Sequence, residues 1–167
     1  MKTINKAQLE ALYKMAQNIY CYGSRVYGTS TEESDFDYIL VLSDDYDRTA
    51  IFDFSEDNQV EYDRTQCTIY TNTEFKDRLS NCDVSALECY FLPDKFREKE
   101  NIKYNIEINR ELVYRNFSQV ASNSWVKCKK KLEKEHDYRV GKKSLWHSLR
   151  ILFFVRQILN WSENRLN

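Results

Sequence analysis

Two aspartates, Asp35 and Asp37, flank a single phenylalanine and follow the pair Gly23-Ser24 after ten intervening residues. On an extended strand alternate side chains share a face, so the two carboxylates converge. Like charges so placed repel, and a divalent cation between them relieves the repulsion. Magnesium suits such a pair, because it takes carboxylate and phosphate oxygens and keeps several waters. Gly23 lets the backbone approach a phosphate with no Cβ in the way. The amide N–H groups there, together with the Ser24 hydroxyl, form an anion cradle. A phosphate cradle beside a metal-binding carboxylate pair is equipment for phosphoryl or nucleotidyl transfer. The plain alternative is a tight turn at Gly23 and Gly28 with two surface aspartates.

The flanking elements place this motif between strands. Apolar positions Leu9, Leu12, Tyr13 and Met15-Ala16 predict an amphipathic helix over 5–17. Ile19 to Tyr22 reads as a short strand running into Gly23, and Tyr38 to Leu42 as a buried strand leaving Asp37. Val60 to Thr71, rich in Tyr, Thr, Val and Ile, reads as a third strand. Asn72 or Thr73 caps a helix through Leu79, with Glu74 in its first turn. Val84 to Phe91 is a further helix, closed by Pro93. Ile106 to Glu135 is one long helix, or two with a break near Ser122 to Ser124, and Lys142 to Ser162 is another. Only three glycines and one proline occur, so each is a positional signal, and Gly141 is read as separating the last two helical patterns. The plan is an α/β domain over 1–95 and a helical domain over 96–167.

The totals narrow the class. At 167 residues, 42% hydrophobic and 14% aromatic, the chain has material for a real core and is expected to fold. Lys and Arg number 25 against 26 Asp and Glu, which argues against a general nucleic-acid coat. Charge is uneven: 32–63 is acidic and 126–143 is dense in Lys and Arg, so one end suits metal and the other phosphate. The five cysteines include no Cys-x-x-Cys pair, which argues against a cysteine zinc site. With no apolar run near 18 residues and no signal peptide, the expectation is a soluble, cytoplasmic protein with no membrane partner.

The string Tyr22-Gly-Ser-Arg-Val-Tyr-Gly-Thr-Ser-Thr-Glu-Glu-Ser-Asp-Phe-Asp-Tyr-Ile-Leu40 resembles the signature of the DNA polymerase β-type nucleotidyltransferase superfamily, in its small bacterial and phage members. The resemblance implies an α+β fold: a small mixed sheet flanked by helices, followed by a C-terminal helical region. It implies transfer of a nucleoside monophosphate from an NTP, ATP by default, to a hydroxyl on a protein, an RNA or a small molecule. Asp35 and Asp37 would hold two magnesium ions, and Gly23, Ser24 and Arg25 would meet the nucleotide's phosphates. Ala86-Leu-Glu-Cys-Tyr-Phe91 is similar to a following helix of these proteins, with Glu88 near the site or a plain surface charge. Lys142-Lys-Ser-Leu-Trp-His-Ser-Leu-Arg150 is similar to their Lys-x-x-x-His-x-x-Arg element. Lys143, His147 and Arg150 are spaced to share one helix face, as a triphosphate clamp or as a solvated basic face.

The family normally has a third carboxylate on the next strand, which binds metal and helps deprotonate the acceptor. The matching position falls near Gln66, which cannot do that work. Asp63 is the chosen substitute and Glu61 the alternative. Read along a single strand, both have the wrong parity and need a bulge or shifted register. A second reading follows: a binding module that kept the fold but lost catalysis, paired with a helical partner as antitoxins are, or with its own copy. A nucleic-acid surface over Lys127 to Lys134 and Trp125 is a third, weighed against a solvated mixed-charge face.

Overall fold

Asn5 opens the first helix with a reciprocal cap: its Oδ1 accepts from the Gln8 amide, and Gln8 Oε1 accepts from the Asn5 amide, both at 2.9 Å. Such a cap contributes about 1 kcal/mol. The computed structural model describes residues 1–46 and 58–165, so part of the acidic stretch expected over 32–63 lies outside the described residues. Two compact units divide the chain. The first comprises Met1–Leu79 and Ser85–Asn105, the second Ser80–Val84 and the chain from Ile106 onward.

In the first unit, β1 (Lys2–Thr3), α1 (Lys6–Met15), β2 (Asn18–Tyr22) and β3 (Phe36–Leu42) lead to β4 (Gln59–Tyr62) and β5 (Thr65–Thr71). Then come α2 (Asn72–Ser80), α3 (Val84–Tyr90) and β6 (Arg97–Glu100). The strands form one mixed sheet in the order β1-β4-β5-β3-β2-β6. β3 runs parallel to β5 and antiparallel to β2. This is the α+β architecture expected. The first unit runs on past 95 because β6 adds to the free edge of β2, with Asn18 opposite Glu100.

Each face of the sheet has its own cover. Leu9 and Leu12 of α1, with Ala16 just past its end, pack on Ile19, Leu40, Leu42, Val60, Cys67 and Ile69. Leu12, Leu40 and Ile69 are fully buried or nearly so, each stabilising the fold by about 1.5–3 kcal/mol. On the opposite face Phe75 of α2 stacks on Tyr20 at 5.6 Å and meets Tyr70 and Tyr104.

Several expectations are corrected here. The stretch 60–71 is not one strand but a hairpin, β4 and β5, turning at Asp63-Arg64. Asp63-Arg64 interrupts a run otherwise rich in Val, Tyr, Thr and Ile, and Asp63 takes the left-handed conformation, φ 51°, that aspartate tolerates in turns. α2 is capped by Thr71 rather than Asn72 or Thr73. The Thr71 Oγ1 accepts from the Glu74 amide and Glu74 Oε2 accepts from the Thr71 amide. In the second unit the long helix α4 (Arg110–Glu133) is unbroken at 122–124. It ends through left-handed His136, and Asp137 caps α5 (Tyr138–Arg165) by accepting from the Val140 amide at 3.1 Å.

Gly141 therefore does not separate the helices. It lies buried in α5, where a Cβ would come within 2.5 Å of Leu132 Cδ2. α4 and α5 pack as an antiparallel pair through Phe117 and Phe154 and through Ser148 Oγ, which donates to Ala121 O at 2.8 Å. Ile151 and Ile158 are buried, whereas Leu152 is 47% exposed. Among the described residues no helix is long and apolar enough to cross a membrane.

Candidate active site

Strand pairing builds the site. Tyr22 on β2, Asp37 on β3, Gln66 on β5 and Glu61 on β4 stand side by side in register, and residues paired across a sheet share a face. The row lies opposite α1, at the end of β3 away from the Phe75 aromatic cluster.

β2 runs straight into a single 3₁₀ turn, Gly23–Arg25. Gly23 has φ +79°, and a Cβ there would lie in contact with Asp37 Oδ2 and 3.1 Å from its carboxyl carbon. Only glycine lets the turn close onto the carboxylate. Gly28 is also left-handed, φ +68°, but faces open space, so it serves the turn alone. The loop is fastened by the Thr29 amide, which donates to Ser24 O at 3.0 Å.

Arg25 does something the sequence reading did not assign. Its guanidinium stacks 3.6 Å above the Phe36 ring, and it donates to Ser34 O at 2.6 Å and Asp35 O at 3.1 Å. These bonds clamp the segment that delivers Asp35. Arg64 adds a bond from the hairpin tip to Ser34 O at 3.4 Å. Neither Phe36 nor Arg64 was singled out from sequence, since both roles depend on which turn faces which loop.

Burial and then the Asp37 charge push the Tyr22 phenol above its usual range, while its bond with Thr68 pulls the other way. Burial, first of all, lifts the Cys67 thiol to about 12. All five cysteines are buried thiols, none of them in a disulfide.

The nucleotidyltransferase domain model matches residues 5–113. The chain belongs to the nucleotidyltransferase domain family. No curated protein matches it.

Within the nucleotidyltransferase domain, parallel register sets Gln66, expected near the third-carboxylate position, beside Asp37. Gln66 Nε2 donates to Asp35 Oδ2 at 3.3 Å. Asp63, expected as a catalytic substitute, sits exposed at the hairpin tip. Among the described residues it does not combine with Asp35 and Asp37 into a metal-holding group of three acids. The hairpin corrects the parity argument for Glu61, which faces the same side as Gln66 but whose Oε1 accepts from Thr3 Oγ1 at 2.9 Å. As a donor set, Asp35 and Asp37 fit a hard divalent cation. Glu88 is buried on α3, at 8% exposure, and so is not a surface charge.

Lys143, His147 and Arg150 lie together on α5 in the second unit, with Arg150 Nη2 3.1 Å from His147 Nδ1. Burial lowers the His147 imidazole below its usual range, and the charges of Arg150, Lys127 and Lys143 lower it further. The structure thus adds Lys127 of α4 to that cationic group. Helical spacing along one helix gave no signal for a residue on its neighbour.

Proposed function

We propose that this nucleotidyltransferase domain is a magnesium-dependent enzyme that moves a nucleoside monophosphate from an NTP to a hydroxyl acceptor. The observation that carries the reading is the meeting of Gly23 with Asp37. A turn able to present amide N–H groups to phosphate closes directly onto a carboxylate able to hold the cation that accompanies it. Asp35 and Asp37 are the metal ligands. Gly23 and Ser24 receive the β- and γ-phosphates, and Arg25 keeps the Asp35 loop in place. Magnesium, when bound, neutralises the triphosphate and stabilises the departing pyrophosphate. The acceptor oxygen attacks the α-phosphorus in line, its bond to pyrophosphate breaks, and the acceptor proton leaves to water or to a base on the acceptor. Lys143, His147 and Arg150, with Lys127, supply a second phosphate-binding group on the helical pair.

Thermal denaturation with each NTP, with and without magnesium, tests this. A ligand bound to the native state raises the melting temperature. The expected result is a magnesium-dependent rise, ATP being the first donor to try, lost in the Asp35→Asn, Asp37→Asn double variant. No rise with any nucleotide sinks the proposal.

A second reading has one observation in its favour. Gln66 stands where the family's third carboxylate is expected, as in a domain that binds nucleotide or a partner protein without turnover. Pyrophosphate release in the presence of candidate acceptors separates the two.

A further inference from the structure

Asp35, Asp37 and Gln66 gather where β3 and β5 begin. Gln66 lies beside Asp37 in parallel register, and its amide nitrogen, not its oxygen, faces Asp35. Among the described residues no third acid, histidine or cysteine completes a metal-holding group. The next carboxylate on the row, Glu61, is one strand further away. With strands about 4.8 Å apart, its backbone lies roughly 10 Å from that of Asp37, and Thr3 holds its Oε1.

The charge count follows. Two carboxylates balance one divalent cation. A second cation beside the first would meet its repulsion and, among the described residues, would find no further anionic ligand besides the nucleotide's own phosphates, only a neutral amide. Gln66 would also have to give up its bond to Asp35 and turn its oxygen inward.

We infer, resting on the nucleotide-transfer reading above, that this site takes one divalent cation with each bound nucleoside triphosphate, and that Gln66 stands in place of the second. Gln66 is a positioning residue: its amide fixes Asp35 through Oδ2 and leaves Oδ1, with Asp37, for the single cation. Replacing the amide by a carboxylate removes that bond and adds the missing anionic ligand, which opens the second metal position.

The test counts metal rather than turnover. The full chain is passed through a gel-filtration column equilibrated with Mn²⁺ and α,β-methylene-ATP, and both are measured in the protein peak. The expected ratio is one Mn²⁺ and one nucleotide per chain for the native protein, and two Mn²⁺ with one nucleotide for Gln66→Asp. Gln66→Glu serves as a second variant should Gln66→Asp not fold. Two Mn²⁺ in the native protein overturns the inference while leaving nucleotide binding intact. One Mn²⁺ in the native protein and in the folded carboxylate variants also overturns it, since Gln66 then does not set the count. Neither metal nor nucleotide in the native peak overturns it together with the transfer reading.

Discussion

The Asp37 carboxylate rests directly against the backbone of Gly23, in the space a Cβ at residue 23 would take. The turn and the carboxylate are therefore a single fitted unit. Gly23→Ala forces both a left-handed φ on alanine and a displacement of Asp37, at a cost of roughly 1–3 kcal/mol. Gly28→Ala meets the first penalty without the second, about 1–2 kcal/mol. The expected outcome is that both melt lower, while magnesium-dependent stabilisation by ATP is lost only in Gly23→Ala. Equal retention in both variants counts against the fitted unit.

Arg25 acts by shape as well as charge, spanning two carbonyl oxygens while lying on Phe36. Lysine keeps the charge but not the planar fork. Arg25→Lys and Arg25→Ala should therefore weaken magnesium-nucleotide binding alike, by about tenfold, or 1.4 kcal/mol. Titration calorimetry measures this, and native affinity in Arg25→Lys would mean that charge alone suffices.

Gly141 is a packing glycine inside a helix, with Leu132 across from it. Alanine gains about 1 kcal/mol of helix propensity but overpacks the contact by about 1–3 kcal/mol. Gly141→Ala should be destabilising alone and neutral or stabilising when combined with Leu132→Ala. Denaturant unfolding of the double-mutant cycle reads the coupling directly.

His147 gives a pH dependence whose sign is fixed by its environment. Its folded pKa lies below the ordinary value, through burial first and then Arg150, Lys127 and Lys143. Between the two values the unfolded chain binds more protons, so stability rises with pH. The native fold is free of this penalty above about pH 6.5, the unfolded value, and bears it fully below the folded pKa. NMR titration should place the imidazole below its ordinary value, and His147→Gln should flatten the fall in melting temperature on acidification through that window. An unchanged slope in His147→Gln would show that other groups set it.

What the sequence determined was local. Ten residues between Gly23-Ser24 and Asp35, and one between Asp35 and Asp37, fix the motif, because strand alternation and the left-handed glycine turn act within a few residues. The same holds for α1, whose periodicity was legible, and for β2 and β3, read from short strand-forming runs. What tertiary structure decided was pairing. The turn at Asp63-Arg64 reversed the chain inside a stretch read as one strand, and that reversal put Glu61 on the side of Gln66. Parallel register with β3 put Gln66 beside Asp37. Arg25 found Phe36, Leu132 found Gly141, and Lys127 came near His147 only because separate segments were brought together. Spacing along one element carries no record of what lies opposite it. That is set by register and by packing across elements, and these arise only when the chain has folded.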